Sequence, residues 1–237
     1  MNIDNLSIKL FADGADLNNI FELNNKSYIK GFTTNPTLMR QSGISSYKSF
    51  ASEIINNIGN KSISFEVLSD DFSEMERQGN EIASWGENVY VKIPISNCAG
   101  ESTSKVIKNL VKKGCKLNVT AIMTLDQITN IINDLDCNIP SYISIFGGRI
   151  ADTGRDPLKT FEKARDLIRN LDKCEIIWAS PRELLNIFQA EKSGCDIITL
   201  TNDLVKKLPL IGKDLTEYSQ ETVKMFVEDA IQSNLKL

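Results

Sequence analysis

The sequence predicts a (β/α)8 barrel, an α/β fold, with an additional C-terminal helix. Eight short apolar runs, rich in β-branched residues, alternate with amphipathic helical patterns at regular spacing and without a linker. No GxGxxG motif follows the first run, which counts against the rival architecture, an open doubly wound sheet. A length of 237 residues suits one large domain or two small ones. The even spacing of the strand–helix units predicts a single barrel domain over residues 1–237.

The fourth apolar run is the clearest strand of the chain. It reads NVYVKIPI and is almost continuously apolar, as expected of a strand that a parallel sheet buries on both faces. The other seven runs share its β-branched character and are each followed by a turn or a helix signal. The predicted strands are Ser7–Asp13, Tyr28–Asn35, Ser62–Leu68, Asn88–Ile95, Lys116–Ile122, Tyr142–Phe146, Cys174–Ser180 and Asp196–Leu200.

Helices are predicted wherever apolar residues recur at helical spacing between these strands. Pro36 suits the first position of a helix, and Gly114 suits the residue after one. Gly147 and Gly148 are expected to end the sixth strand. The predicted helices are Ala15–Lys26, one that begins at Pro36, Ser46–Ile58, Asp71–Trp85, Ser104–Gly114, Leu125–Leu135, Asp156–Leu171, Pro181–Lys192, Asn202–Leu208 and Leu215–Leu235.

Composition excludes several classes of function. The net charge of −4 gives no electrostatic reason to expect nucleic acid or an anionic membrane as a partner. The chain contains no histidine, which removes Ser-His-Asp and Cys-His nucleophiles and the usual histidine-built zinc sites. The five cysteines never form a CxxC pair, and no apolar run is as long as a membrane span. These observations predict a cytoplasmic protein with reduced thiols and no metal site.

Polar side chains occur late in seven of the predicted strands, which is where barrel enzymes place catalytic groups. A lysine in the middle of a buried strand either pairs with a carboxylate or loses its proton and acts as an amine nucleophile. Unpaired buried charge is costly, so an interior that holds two carboxylates and this lysine needs a network or a function. The polar residues are Asp13, Asn35, Glu66, Lys92, Asn118 with Thr120, Ser144 and Ser180.

Five segments at these strand ends resemble signature segments of the transaldolase family and occur in the family's order. They are FTTNP (Phe32 to Pro36), VKIP around Lys92, LNVT (Leu117 to Thr120), SIFGGR (Ser144 to Arg149) and ASPR (Ala179 to Arg182). The resemblance implies a (β/α)8 barrel that forms a Schiff base between a lysine and a ketose phosphate and needs no cofactor. The length is similar to that of the family's small-subunit branch, which includes fructose 6-phosphate aldolases as well as transaldolases.

The resemblance also implies a role for each residue. It assigns the Schiff base to Lys92 and the base that takes the C4 hydroxyl proton to Asp13. It assigns a proton-shuttling water to Glu66 and Thr120. Asn35 and Asn118 are assigned to orient the dihydroxyacetone hydroxyls, Ser144 is expected to line the same wall, and Thr34 is expected to bind substrate. From the residues alone, a structural ion pair between Lys92 and either carboxylate remains the alternative.

Phosphate binding is predicted for Arg149, Ser180 and Arg182. Ser180-Pro181-Arg182 is expected to begin the helix after strand seven, whose free N–H groups and dipole favour an anion. The small size of Gly147 and Gly148 would let a ligand approach the backbone beside Arg149. A surface salt bridge is the alternative for either arginine.

The predicted activity is transfer of a dihydroxyacetone unit from fructose 6-phosphate or sedoheptulose 7-phosphate to an aldose phosphate. Glu66 and Phe146, together with Asn118 and Ser144, resemble transaldolase residues, whereas the aldolase branch carries Gln and Tyr at the first two positions. A fructose 6-phosphate aldolase-type lyase is one alternative. A non-catalytic barrel that binds sugar phosphates is another, because a fold does not dictate a function.

The last predicted helix, Leu215–Leu235, lies beyond the eighth strand–helix unit and is not needed to close the barrel. Its apolar residues, among them Tyr218 and Phe226, form a stripe that another surface must cover. That surface is either the helix's own barrel or a second copy of the chain. Small members of the family assemble through this helix, so the resemblance implies a homo-oligomer, a pentamer or a decamer.

Overall fold

The computed structural model describes residues 6–233 and shows eight parallel strands in the order β1 to β8, closed into a barrel. The closure is made by β8, which pairs in parallel with β1. This arrangement confirms the predicted (β/α)8 barrel. The strands are β1 Lys9–Asp13, β2 Ile29–Thr33, β3 Ser62–Glu66, β4 Val89–Pro94, β5 Leu117–Ile122, β6 Ser141–Ile145, β7 Cys174–Trp178 and β8 Ile197–Thr201.

Helices surround the barrel, and several begin at a side chain that accepts a hydrogen bond from the first turn, including Asp16, Asn35 and Asp71. Short 3₁₀ turns, Ile132–Asp134 and Leu208–Leu210, extend the sixth and tenth helices. The helices are α1 Leu17–Asn24, α2 Pro36–Gln41, α3 Tyr47–Asn57, α4 Phe72–Ala83, α5 Ser104–Lys112, α6 Leu125–Ile131, α7 Gly147–Asp152, α8 Leu158–Leu167, α9 Leu185–Lys192, α10 Asn202–Lys207 and α11 Leu215–Gln232.

An aromatic cluster of Phe11, Tyr90 and Tyr142 lies two residues before a polar site residue on each of three strands. The Tyr90 and Tyr142 rings stack with their centroids 4.0 Å apart, and Phe11 meets Tyr142 edge-on at 5.9 Å. Because side chains alternate along a strand, these rings share a face with Asp13, Lys92 and Ser144. They therefore form a packed layer beneath those polar residues.

Most predicted element boundaries differ from the observed ones by one to three residues, but two differences affect the site. The helix after β7 begins at Leu185, so the prediction that it begins at Pro181 is wrong. Gly147 and Gly148 follow β6 as expected, yet they also start a helix, α7, that the sequence did not predict. Neither glycine adopts a positive φ, so both fit a helical turn.

The C-terminal helix α11 does not pack on its own barrel. None of its residues is buried, and Leu215, Phe226 and Ile231 are 80%, 61% and 70% exposed. Within the described residues the helix ends at Gln232, and the predicted end at Leu235 lies outside them. The alternative that its apolar stripe is covered by the same chain is therefore contradicted.

No helix within residues 6–233 is both long enough and apolar enough to cross a bilayer. All five cysteines are free: Cys115, Cys174 and Cys195 are buried, whereas Cys98 and Cys137 are exposed.

Candidate active site

Lys92 lies near the C-terminal end of β4 and is only 7% exposed. Its Nζ is 3.1 Å from Oε2 of Glu66 on β3 and donates a hydrogen bond to the main-chain carbonyl of Thr34 at 3.0 Å. The structural ion pair weighed from the sequence is therefore present, with Glu66 as the partner. A buried pair of this kind holds the amine at a fixed place and gives its proton an acceptor.

Asp13 ends β1 on the same side of the barrel. Its Oδ1 accepts a hydrogen bond from Thr33 Oγ1 at 2.9 Å. Burial raises the pKa of this carboxyl, an effect that Glu66 adds to and that the positive charge of Lys92 and the Thr33 hydrogen bond only partly offset. Asp13 is thus an acid whose proton affinity is increased by its surroundings.

Asn118 on β5 is completely buried, and both ends of its amide are bound. Its Nδ2 donates to Ser64 Oγ at 3.0 Å, and its Oδ1 accepts from Ser144 Oγ at 2.7 Å. The two hydroxyls bind opposite ends of the amide and hold its plane in place. Side chains from β3, β5 and β6 thus form one connected polar wall, which passes across the intervening β4.

The structure supports only part of the roles that the resemblance implies for Thr34 and Asn35. Asn35 lines the cavity, but its Oδ1 accepts from the N–H of Leu38 and caps α2, which leaves its amide N–H groups for a ligand. Thr34 is fully buried and does not line the cavity; its contribution is the carbonyl that binds Lys92. The assignment of the Thr34 side chain to substrate is therefore wrong. The reason is strand parity, since Thr33 and Asn35 face the interior and Thr34 faces away.

Thr120 lies at an irregularity of β5, where the pairing with β6 shifts between Val119 and Ile122. The next residue, Ala121, has a φ of 61°, a left-handed conformation that costs energy for a residue with a side chain. The Thr120 hydroxyl is buried and has no hydrogen-bond partner among residues 6–233. It lines the cavity, so it is available to bind a ligand or a water.

The two arginines predicted to bind phosphate differ in their present contacts. The Arg149 guanidinium lies 5.4 Å from the centre of the Phe146 ring, a cation–π contact. Arg182 forms an exposed ion pair with Asp152 on α7, and this contact lowers the pKa of the Asp152 carboxyl. The salt-bridge alternative thus holds for Arg182 in this structure.

The loop that carries Arg182 precedes α9 and is not part of the helix. Ser180 has a φ of 57°, and the buried Asn186 accepts hydrogen bonds from the N–H groups of Arg182 at 2.7 Å and Glu183 at 3.2 Å. These N–H groups were expected to be free for an anion, and that expectation is wrong because a side chain already binds them. Asn186 instead shapes the loop, a role that the sequence did not indicate.

Gly147 and Gly148 make room for protein atoms rather than for a ligand. A Cβ at Gly147 would lie 2.4 Å from the Trp178 indole, and one at Gly148 would lie 1.7 Å from the carbonyl oxygen of Ser180. The prediction that these glycines admit a ligand to the backbone is therefore wrong. Their absent side chains let α7 pack against β7 and its loop, which brings Arg149 and Arg182 to one rim.

Two adjoining cavities at this end of the barrel collect the predicted residues. The inner one has a volume of about 140 Å³ and the outer one about 510 Å³. Every predicted site residue except Thr34 lines at least one of them. They are Asp13, Asn35, Glu66, Lys92, Asn118, Thr120, Ser144, Phe146, Arg149, Ser180 and Arg182.

Sequence reasoning missed Thr33, Ser64 and Thr199, which belong to the same site. Thr33 and Thr199 line the inner cavity, and Ser64 binds Asn118. Alternation along the strand could have identified Thr33, because it shares a face with Asn35. Within residues 6–233 no group of acidic residues and cysteines is arranged to hold a metal ion.

Comparison with known proteins identifies the family of the chain. The family model described as Transaldolase/Fructose-6-phosphate aldolase matches residues 10–236. A probable transaldolase of Nitrosopumilus maritimus (strain SCM1) is 30% identical over 227 residues, which cover 94% of this chain and 98% of the relative. A probable transaldolase of Thermoanaerobacter sp. (strain X514) is 32% identical over 233 residues, 97% of this chain and 100% of the relative.

Among solved structures, a dihydrodipicolinate synthase from Rhodopseudomonas palustris superposes with a TM-score of 0.59 at 14% identity. The alignment covers 97% of this chain and 81% of that one. At such low identity the likeness shows the barrel fold alone. The family model, in contrast, spans nearly the whole chain, and so do relatives that are 30% and 32% identical. This chain belongs to the transaldolase/fructose-6-phosphate aldolase family.

Proposed function

We propose that the protein is a transaldolase that moves a dihydroxyacetone unit from a ketose phosphate, fructose 6-phosphate or sedoheptulose 7-phosphate, to an aldose phosphate. The observation that carries this proposal is the position of Lys92. Among the described residues it is the lysine that lines both cavities, and it does so beside two carboxylates. A buried amine with an adjacent proton acceptor is suited to forming an imine with a ketone.

Imine formation begins when the Lys92 amine attacks C2 of the ketose. Glu66, 3.1 Å from the nitrogen, takes the ammonium proton and so makes the lone pair available. After the amine adds to C2, a proton moves from the nitrogen to the C2 oxygen; Glu66 then returns the proton that it took up, and the C2 hydroxyl leaves as water to give the protonated imine. The free hydroxyl of Thr120 lies on the same cavity wall and binds this water during its departure and its return.

Bond cleavage follows from the positive charge on the imine nitrogen, which accepts the electron pair of the C3–C4 bond. Asp13 takes the C4 hydroxyl proton as the C4 aldehyde forms and leaves. The three-carbon enamine that remains on Lys92 then adds to the carbonyl carbon of the acceptor, and Asp13 returns its proton to the new hydroxyl. The raised pKa of Asp13 suits a group that must both take up and release a proton.

The remaining residues bind the two ends of the sugar. Asn118 and Ser144, fixed by their mutual hydrogen bond, and the N–H groups of Asn35 bind the dihydroxyacetone hydroxyls. Arg149 and Ser180 lie toward the rim and bind the phosphate. Arg182 joins them when it exchanges the carboxylate of Asp152 for the phosphate, a contact of the same charge and geometry.

Phe146 favours transfer over simple cleavage. It lines both cavities and has no hydroxyl that could protonate the enamine and release free dihydroxyacetone. Its ring instead supports the guanidinium of Arg149. The enamine therefore persists until an aldehyde acceptor arrives.

The test is reductive trapping of the imine. Borohydride added with fructose 6-phosphate should yield one adduct, located on Lys92 by peptide mass spectrometry and absent from the Lys92→Met variant. Erythrose 4-phosphate should raise turnover of fructose 6-phosphate strongly, and EDTA should leave it unchanged because the imine serves as the electron sink. Release of dihydroxyacetone without an acceptor would indicate a lyase, and no adduct would indicate a binding protein.

We also propose that α11 joins copies of the chain into a pentamer or a decamer in the cytoplasm. The support for assembly is the row of exposed apolar side chains on α11, which its own barrel does not cover. The support for the compartment is the set of five free thiols.

A further inference from the structure

A chain of hydroxyl groups runs from β8 to the carboxylate of Asp13. Thr199 Oγ1 lies 2.5 Å from Thr33 Oγ1, and Thr33 Oγ1 lies 2.9 Å from Asp13 Oδ1. Thr199 and Thr33 are 5% and 3% exposed, so both residues are largely shielded from bulk solvent although they line the inner cavity. Three strands, β8, β2 and β1, thus each contribute one member to a buried polar chain.

The direction of the hydrogen bonds in this chain is determined by the carboxylate. Ionised Asp13 can only accept, so the single hydroxyl proton of Thr33 points to Asp13. Thr33 Oγ1 then has no proton left for Thr199 and must accept one from it. Successive hydrogen bonds aligned in this way polarise one another, and each strengthens the next.

The geometry points to Thr199 as a positioning residue for Asp13, acting through Thr33; this inference rests on the proposed role of Asp13 as the base. With Thr33 bound to Oδ1, the other oxygen, Oδ2, makes no hydrogen bond within residues 6–233. The chain therefore decides which oxygen remains free to take the C4 hydroxyl proton. It also holds that oxygen in one orientation while the substrate is exchanged.

The chain stabilises the ionised form of Asp13, so its loss raises the pKa of the carboxyl. The charged groups that face Asp13 are Lys92 from β4 and Glu66 from β3. The charged residues that share its cavities are Asp16 and Asp203 on one side and Arg149 and Arg182 on the other. None of these groups changes when Thr199 is replaced, so a shift in the Asp13 titration reports the hydroxyl chain.

The experiment compares Thr199→Val, which keeps the shape and removes the hydroxyl, with Thr199→Ser, which keeps the hydroxyl. Thr199→Val should lower kcat for fructose 6-phosphate about three- to tenfold, with KM nearly unchanged, because one supporting hydrogen bond is lost. The acid limb of its kcat/KM profile should move to higher pH by about half a unit. Thr199→Ser should restore both quantities to those of the unmodified enzyme.

A double-mutant cycle separates this role from simple packing. Thr33→Val should have the larger effect, and adding Thr199→Val to it should cause no further loss, because Thr199 acts only through Thr33. Additive losses would overturn the inference, as would a Thr199→Val variant with unchanged kcat and pH profile. If Thr199→Val does not fold, Thr33→Val compared with Thr33→Ser tests the remaining hydroxyl link in the same way.

A carboxyl titration reads the chain without turnover. In protein labelled with ¹³C at the aspartate carboxyl, the Asp13 signal is assigned by its loss in Asp13→Asn. Its midpoint should be higher in Thr199→Val than in the unmodified protein and unchanged in Thr199→Ser. If the unmodified protein turns over no sugar, that result counts against the proposed function alone. If the Asp13 midpoint is the same in Thr199→Val as in the unmodified protein, that result counts against the hydroxyl chain.

Discussion

Replacement of Lys92 by methionine separates the chemical role of this residue from its structural role. Methionine keeps the length and the apolar stem of lysine but has no amine, so the variant cannot form an imine. It also removes the partner of Glu66, whose side chain is 15% exposed, and the hydrogen bond to the carbonyl of Thr34. A buried carboxylate without a partner is costly.

Breaking a buried ion pair by removing one partner costs about 3–5 kcal/mol. Because the Glu66 side chain keeps some contact with solvent, we expect Lys92→Met to lower the free energy of unfolding by somewhat less, about 2–4 kcal/mol. The double variant Lys92→Met/Glu66→Gln removes the unpaired charge and should regain most of this loss. Both variants should lack turnover, since neither has the amine.

Urea unfolding followed by circular dichroism measures the stability term. The free energy of unfolding should fall by about 2–3 kcal/mol per molar urea, so the unfolding midpoint of Lys92→Met should lie about 1 M below that of the unmodified protein. The midpoint of the double variant should lie close to that of the unmodified protein. A Lys92→Met variant as stable as the unmodified protein would show that the ion pair contributes nothing. Appreciable turnover by either variant would refute the assignment of Lys92 as the nucleophile.

Three further outcomes are expected. Arg182→Ala should raise KM for fructose 6-phosphate about 10- to 100-fold, through loss of a charge-assisted contact, and leave KM for unphosphorylated fructose unchanged; equal losses on both sugars would assign this arginine another role. Gly148→Ala places a Cβ against the Ser180 carbonyl and should lower Tm by about 6–12 °C. Gly14→Ala is the matched control: a Cβ at Gly14 would have no neighbouring atom within 4 Å, so this variant should change Tm little. Truncation after Lys213 removes α11 and should convert the oligomer into smaller species by light scattering; an unchanged mass would locate the interface elsewhere.

The sequence alone predicted the barrel because the pattern that encodes it is local and repeated. β4 shows the reason: its apolar run, which Pro94 ends, identifies a strand buried on both faces without reference to any other element. The polar residues near the ends of seven of the strands were equally visible. Once the strands close in order, their C-terminal ends must meet, so the meeting of Asp13, Glu66 and Lys92 followed from the fold prediction.

Strand parity was also present in the sequence, and it separates Thr33 from Thr34 in FTTNP. Thr33 and Asn35 alternate onto the interior face, and the structure places Thr33 against Asp13. Thr199, in contrast, lies in the middle of β8, 166 residues from Thr33 along the chain. No local pattern links the two hydroxyls, because barrel closure alone brings them together.

The part of the site that was predicted to bind phosphate depended most on tertiary structure. Read locally, Ser180-Pro181-Arg182 suits a helix start, and Gly147-Gly148 suits close approach of a ligand. In the fold, the side chain of Asn186 accepts hydrogen bonds from the N–H groups of this loop, and the helix begins only at Leu185. The carbonyl of Ser180 fills the space beside Gly148. A sequence indicates which groups are able to bind an anion or to leave a space. Whether a ligand or another part of the same chain occupies these positions is decided by packing between elements that are distant in sequence. The reason is that protein interiors are close-packed and that buried polar groups form hydrogen bonds with whatever group the fold places beside them.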